Sequence, residues 1–230
     1  MDSATYRERR GQLETYFDRT ASDAWTKLTS DAPVSRIRAT VRAGRDAMQA
    51  ILLSWLPEDL DGARILDAGC GTGTLSMVMA RRGASVVATD LSASLVDIAR
   101  QRASEAGQSA SIDFRVGDML DPTLGGFDWV VAMDSLIHYE EPDMVHMVDA
   151  LGARAERGVL FTHAPKTPML AAMHWVGGFF PRSDRAPAIA PVASSRLAHK
   201  LTELGTGSVG RTDGVSRGFY ISSSMEWIPR

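Results

Sequence analysis

Four acids, each at or just after the end of a short apolar run, are the residues of this chain best placed to do chemistry. Asp67 follows Arg64-Ile65-Leu66, Asp90 follows Val86-Val87-Ala88-Thr89, Asp118 follows Phe114-Arg115-Val116-Gly117, and Asp134 follows Trp129-Val130-Val131-Ala132-Met133. A turn with three alternating glycines, Gly69-Cys70-Gly71-Thr72-Gly73, comes directly after the first of them. Such glycines let the backbone adopt positive φ and approach a ligand closely. A strand, a glycine turn and a helix N-terminus make a corner suited to nucleotide-type ligands. The spacing departs from the dinucleotide pattern G-x-G-x-x-G, and Thr74-Leu75 stands where a phosphate loop needs Lys-Ser/Thr. Asp67 would also repel a pyrophosphate. A ligand with a cationic amino-acid end fits this turn better.

Asp90 lies about 20 residues past the glycine turn, where an acid accepts hydrogen bonds from ribose hydroxyls. Capping a helix is the ordinary task of such an acid, but its place after a glycine-turn unit favours the ribose. Gly117-Asp118-Met119 sets an acid for an adenine amino group beside an apolar side chain for the ring. A nucleoside joined to a cationic amino acid is S-adenosylmethionine, the cofactor expected here. Cys70, inside the turn, is expected to pack rather than to act as a nucleophile.

These residues need alternating strands and helices to position them. Beyond the strand starting at Arg64, strands are expected at Ala84–Thr89, Ser111–Val116, Phe127–Met133 and Gly158–His163. Helices are expected at Ser92–Ala106, about Pro142–Arg154 and Ser194–Leu204, with closing strands at Ser208–Thr212 and Gly218–Glu226. This alternation argues for an α/β, Rossmann-like parallel sheet with helices on both faces. Ligands in such sheets bind at the carboxyl ends of the strands, where the four acids fall. Ahead of the core come a helix from Tyr6 to Arg19 and a basic helix from about Ser35 to Leu56. In the second, Ile37, Val41, Met48, Ile51, Leu52 and Trp55 recur at helical spacing, and Pro57 ends it. The expected division is a helical arm or lid over residues 1–57 and a cofactor-binding core over 58–230. A proline-rich insertion at about 164–193 would cover the substrate.

The bulk properties remove other classes. With 230 residues and a formal net charge of −3, one α/β domain fits and nucleic acid has no general electrostatic attraction. The single cysteine leaves no internal disulfide and no cysteine zinc cluster, and no metal site is expected. The N-terminus lacks the apolar core of a signal peptide, and no apolar run approaches the roughly 20 residues of a membrane span. The expected setting is cytoplasmic, with peripheral contact to a membrane left open.

Leu66-Asp67-Ala68-Gly69-Cys70-Gly71-Thr72-Gly73, then Asp90-Leu91-Ser92, then Gly117-Asp118-Met119, together resemble the class I S-adenosylmethionine-dependent methyltransferases over about Gly62 to His163. The resemblance implies a seven-stranded, mostly parallel sheet. It places Asp67, Gly69, Cys70, Gly71 and Gly73 around the methionine part, Asp90 with Leu91 at the ribose and Asp118 with Met119 at the adenine. Asp134 completes the strand-end set. Arg42 is expected to meet the cofactor carboxylate, as an arginine does in related small-molecule methyltransferases.

The flanks resemble the magnesium-protoporphyrin IX O-methyltransferase family. The similarity rests on Tyr16-Phe17-Asp18, Trp25, Val34 to Arg45, Met133 to Tyr139, Ala164-Pro165-Lys166-Thr167-Pro168, Phe179-Phe180-Pro181-Arg182 and Arg217-Gly218-Phe219-Tyr220. It implies methylation of a propionate of the magnesium porphyrin in (bacterio)chlorophyll formation, and a magnesium chelatase subunit as partner. A carboxylate is already nucleophilic at neutral pH, so alignment in a dry pocket is the main task, and the chain shows no acid/base pair. His138 would orient the propionate or ligate magnesium, against the plainer reading of a packed, hydrogen-bonded histidine. Tyr16 would reach the transferring methyl. Phe17, Trp25, Tyr139, Met173 and Phe179 would wall the macrocycle, and Arg182 would pair with a propionate. Two rivals remain: an O-methyltransferase of another small acceptor such as a quinone, and a non-catalytic protein of the same fold, which the intact glycine turn and Asp90 disfavour.

Overall fold

The computed structural model describes residues 3–18, 29, 36–167 and 189–230, residue 36 by its backbone alone. Five apolar runs form parallel strands: β1 (Arg64–Ala68), β2 (Ser85–Asp90), β3 (Ile112–Val116), β4 (Phe127–Ala132) and β5 (Ala155–His163). The hairpin β6 (Gly207–Arg217) and β7 (Tyr220–Pro229) completes one seven-stranded sheet in the order β3-β2-β1-β4-β5-β7-β6. Only β7 runs antiparallel to its neighbours β5 and β6. The central strands are apolar on both faces because both are covered, as parallel sheets require.

Six helices do the covering among the described residues: α1 (Ala4–Tyr16), α2 (Arg36–Trp55), α3 (Thr74–Arg81), α4 (Ala93–Glu105), α5 (Glu141–Gly152) and α6 (Ser194–Glu203). Alternate strand residues point to opposite faces, and the core divides accordingly. Leu66, Val130 and Phe161 meet Met144 and Met147 of α5, Leu197 and Leu201 of α6, and Tyr6 and Leu13 of α1. Ile65, Val131 and Leu160 meet Met48 and Leu52 of α2, Met79 of α3 and Val96 and Ala99 of α4. The two N-terminal helices thus lie on opposite faces of the sheet. Helix α1 starts at Ser3, whose Oγ accepts the Tyr6 N–H at 2.9 Å. That N-cap bond sets its start two residues before the expected Tyr6.

The expected elements all form, with shifted ends. β5 starts at Ala155, three residues before the expected Gly158, because Phe127 already pairs with Ala155 across a bulge. β6 is 11 residues long, well beyond the expected Ser208–Thr212, while β7 has 10 residues and is shifted from the expected Gly218–Glu226 toward the C-terminus. β6 carries little alternation, since most of it faces solvent. Between β5 and α6 the chain leaves and rejoins the sheet through a narrow neck. Val192 N–H donates to Ala164 O at 2.9 Å, Lys166 N–H to Val192 O at 3.2 Å and Ala190 N–H to Ile137 O at 2.8 Å. His163 Nε2 and Ser194 Oγ lie 2.8 Å apart across it.

Candidate active site

The carboxyl ends of β1, β2 and β4 surround a cleft of about 890 Å³, counting its opening to solvent. The glycine turn forms one wall. Gly69, Gly71 and Gly73 have φ of 88°, 53° and 76°, in the left-handed region that favours glycine. At Gly69 the need is steric as well, since a Cβ would sit 2.3 Å from the Ser135 Cβ. Ser135 Oγ donates to Ala68 O at 2.7 Å and ties the β4 loop against the turn.

Asp90 holds the turn from the tip of β2. Its Oδ2 accepts the Gly71 N–H at 2.8 Å and its Oδ1 accepts the Ser92 N–H at 3.0 Å. Burial raises its pKa, and those N–H bonds offset part of the shift. Asp90 lines the cleft and a carboxylate has about four acceptor positions, so it can accept ligand hydroxyls beside these bonds. Asp67, 2% exposed, is held by Ser76, whose Oγ donates to it at 2.5 Å and whose backbone N–H also faces it. Burial pushes its pKa up to about 7, with Asp90 adding to the effect and Ser76 opposing it. Burial likewise pushes the Cys70 thiol well up, which keeps it a protonated wall residue rather than a nucleophile.

On the opposite side Asp134 is held at φ 55°, costly for a residue with a Cβ. It is over-determined there. Its carboxylate pairs with Arg45 and accepts the Tyr220 hydroxyl at 2.9 Å, while its N–H donates to Thr162 Oγ1 at 2.7 Å. Burial, then the negative Asp134, pushes the Tyr220 hydroxyl well above its ordinary range. Arg45 and Gln49 line the cleft from α2.

The mouth is built by α1 and the short 3-10 turn Leu136–His138. His138 is 8% exposed and lines the cleft, with the Phe17 ring 5.9 Å from its own, centroid to centroid. Tyr139 stacks on Tyr6 at 5.3 Å. Asp118 is taken up by α1: its Oδ1 accepts the Tyr6 hydroxyl at 2.5 Å and its Oδ2 pairs with Arg10 at 2.6 Å.

The sequence-predicted residues thus divide by position. Phe17, Asp67, Gly69, Cys70, Gly71, Asp90, Leu91, Met119, Asp134, His138 and Tyr139 share the cleft surface. Gly73 lies behind it, where a Cβ would meet Ala99 and Phe114. Asp118 sits beside it, turned to α1, while its neighbours Gly117 and Met119 line it. Tyr16 packs edge-on against Phe17 at 5.2 Å and is not part of the lining, nor is Arg42. Trp25, Met173, Phe179 and Arg182 lie outside the described residues. The cleft also takes in Leu13, Arg45 and Gln49, which sequence reasoning passed over. Beside Arg45, a Cβ on Gly44 would be 2.6 Å from Tyr220 of the sheet hairpin, a contact with no trace in the local sequence. No cluster of metal-ligating side chains occurs among the described residues.

This strand order, with a glycine turn after β1, an acid at the tip of β2 and a cleft along the carboxyl edge, defines a class I S-adenosylmethionine-dependent methyltransferase. Residues 65–157 match the methyltransferase-domain family model, and residues 132–229 match that of the magnesium-protoporphyrin IX methyltransferase C-terminus. The chain is 49% identical to a magnesium-protoporphyrin O-methyltransferase of Rhodobacter capsulatus, across 97% of this chain and 98% of that one. Against the Synechocystis protein of the same name the identity is 32%, over 93% of each. A crystal structure of magnesium protoporphyrin IX methyltransferase from Synechocystis with bound SAH superposes with a TM-score of 0.82 at 29% identity, covering 96% of this chain and 100% of that one. The chain belongs to the magnesium-protoporphyrin O-methyltransferase family.

Proposed function

We propose that the protein moves the methyl group of S-adenosylmethionine onto a propionate carboxylate of magnesium protoporphyrin IX, giving the monomethyl ester on the way to (bacterio)chlorophyll. The observation that carries this reading is the 49% identity over almost the whole length of both chains, flanks included. Those flanks supply the cleft mouth. S-adenosylmethionine brings a methyl group made electrophilic by its sulfonium. One O–C bond forms and one S–C bond breaks, and the carboxylate charge is neutralised, so the protein has no proton to move.

Its work is therefore binding, alignment and exclusion of water. Asp90 takes the ribose hydroxyls on its spare lone pairs, and Gly117 and Met119 flank the adenine. Asp67 faces the cationic amino-acid end, and Arg45, which lines the cleft one helical turn beyond Arg42, takes the part expected of Arg42 at the donor carboxylate. Asp118 acts on the donor site through α1, which it holds by Tyr6 and Arg10. His138 orients the propionate, and Phe17 and Tyr139 offer apolar surface to the macrocycle. Tyr16 supports Phe17. Residues 1–57 contribute the cover, and Trp25, Met173, Phe179 and Arg182 complete the acceptor wall. The substrate comes from magnesium insertion, which makes a magnesium chelatase subunit the proposed partner. An apolar macrocycle favours work at a membrane surface, although no helix among the described residues is long and apolar enough to cross a membrane.

The test is incubation with S-adenosylmethionine and either magnesium protoporphyrin IX or the metal-free porphyrin. A monomethyl ester formed from the magnesium porphyrin is expected. No ester from it, with methylation of a quinol ring hydroxyl instead, would replace this reading with the quinone one.

A further inference from the structure

Charge is not balanced evenly around the cleft. Asp134 is matched by Arg45. Asp90 has no ion pair among the described residues but is met by two backbone N–H groups. Asp67 has Ser76 alone, through its hydroxyl and its backbone N–H, and no cation among the described residues. Its partners in the sheet register are Ala88 and Val131, both apolar and both fully buried. The 2% of Asp67 that is exposed borders the cleft. The charged and titratable groups around it are Asp90 at the tip of β2, Cys70 in the turn, His138 at the mouth and the Arg45–Asp134 pair across the cleft. Asp18 adds negative charge beside Asp90, and Arg100 of α4 lies behind Cys70. The groups that act on Asp67 itself are its own burial, Ser76 and Asp90.

We infer that Asp67 holds a proton in the donor-free protein and releases it when the cationic end of the methyl donor binds, so that donor binding and proton release form one event. This rests on the donor site proposed above. A buried carboxyl with a second carboxylate nearby and no cation resists ionisation, and an arriving cation removes that resistance. Starting from a pKa of about 7, the donor finds a mostly protonated site at pH 6 and a mostly ionised one at pH 8. Apparent affinity then improves about tenfold between those values, and about half a proton leaves per donor bound at pH 7. Asp67 thereby sets the pH range in which the enzyme can fill its donor site.

Titration calorimetry of the full chain with S-adenosylmethionine, at pH 6, 7 and 8 in buffers of different ionisation heat, reads both quantities without turnover. The wild type should show the tenfold change and the buffer-dependent heat of proton release. Asp67→Asn should bind weakly, with neither. Ser76→Ala removes a hydrogen bond that favours the ionised form, so its affinity midpoint should move to higher pH, a shift that mere loss of packing would not produce. If Asp67→Asn does not fold, the Ser76→Ala midpoint decides. Donor binding without proton release, an unmoved Ser76→Ala midpoint, or a pH dependence retained in Asp67→Asn would overturn the inference and leave the donor site standing. No donor binding at any pH would overturn the donor site itself.

Discussion

Asp67 sits in a position that the folded protein alone would not choose. Its carboxyl has a pKa raised from 3.8 to about 7. The folded state therefore binds its proton more tightly than the unfolded state, and ionisation destabilises the fold progressively as pH rises from about 4 to 7. Donor-free Asp67→Asn should accordingly be more stable than wild type by a few kcal/mol at pH 8, with little difference at pH 4, read as denaturant midpoints. His138 stands at the other end of the chemistry. In the proposed reaction its place in the cleft lining, next to Phe17, assigns it to the acceptor rather than the donor. His138→Ala should lower turnover by roughly 10- to 100-fold through lost alignment and leave donor affinity within about twofold, by steady-state kinetics and calorimetry; unchanged turnover would remove it from the reaction. The cleft acids Asp67, Asp90 and Asp134 were legible as strand-end residues because strand ends and glycine spacing are local. Arg45 was not. Arg38, Arg42 and Arg45 recur on one side of a helix at spacings of three and four, and only Asp134, 89 residues away in sequence, selects among them.

The contact that makes the selection belongs to whole elements. Helix α2 lies so close to the β6–β7 hairpin that a Cβ on Gly44 would be 2.6 Å from the Tyr220 ring. Tyr220 in turn donates its hydroxyl to Asp134. Gly44→Ala must therefore lift the helix or push the ring aside. It should cost about 1–3 kcal/mol of stability, and donor affinity should fall with it because Arg45 and Tyr220 lose their shared acid. Retained donor affinity with lowered stability would separate the clamp from the site. Helix α1 shows where reading a sequence stops. Its apolar positions were visible, but its grip on Asp118 spans 108 and 112 residues and involves polar atoms that obey no period. An acid expected to face the adenine is bound instead to the helix that covers the cleft.

Across the whole molecule the alternation of strand and helix was plain in the sequence, the number of strands came only through family resemblance, and their order came from the structure. Adjacency of β1 to both β2 and β4 leaves no local trace, and the polar edge strand β6 carries too little alternation to show its length. Stability is also a property at this scale. His163, fully buried at the end of β5, has its pKa lowered to about 4 by burial, and its Nδ1 has no hydrogen-bond partner among the described residues. The unfolded chain takes up that proton more readily, so stability falls as pH drops from about 6.5 toward 4, by up to roughly 3 kcal/mol from this group. His163→Gln should flatten the decline between those values in denaturant titrations.

The neck at Ala164 and Val192 has a consequence for how such enzymes diversify. The two ends of the intervening chain are bonded to each other just past β5, and one of them to the 3-10 turn at Ile137, through backbone groups rather than side chains. The frame therefore imposes no sequence on what is threaded between them, and each doubling of a flexible loop's length adds only about 0.6 kcal/mol. A chimera carrying a relative's segment between these two anchor residues should melt close to the parent while its acceptor preference follows the graft. New acceptors can then be tried by exchange at one socket, with the donor half of the enzyme inherited unchanged.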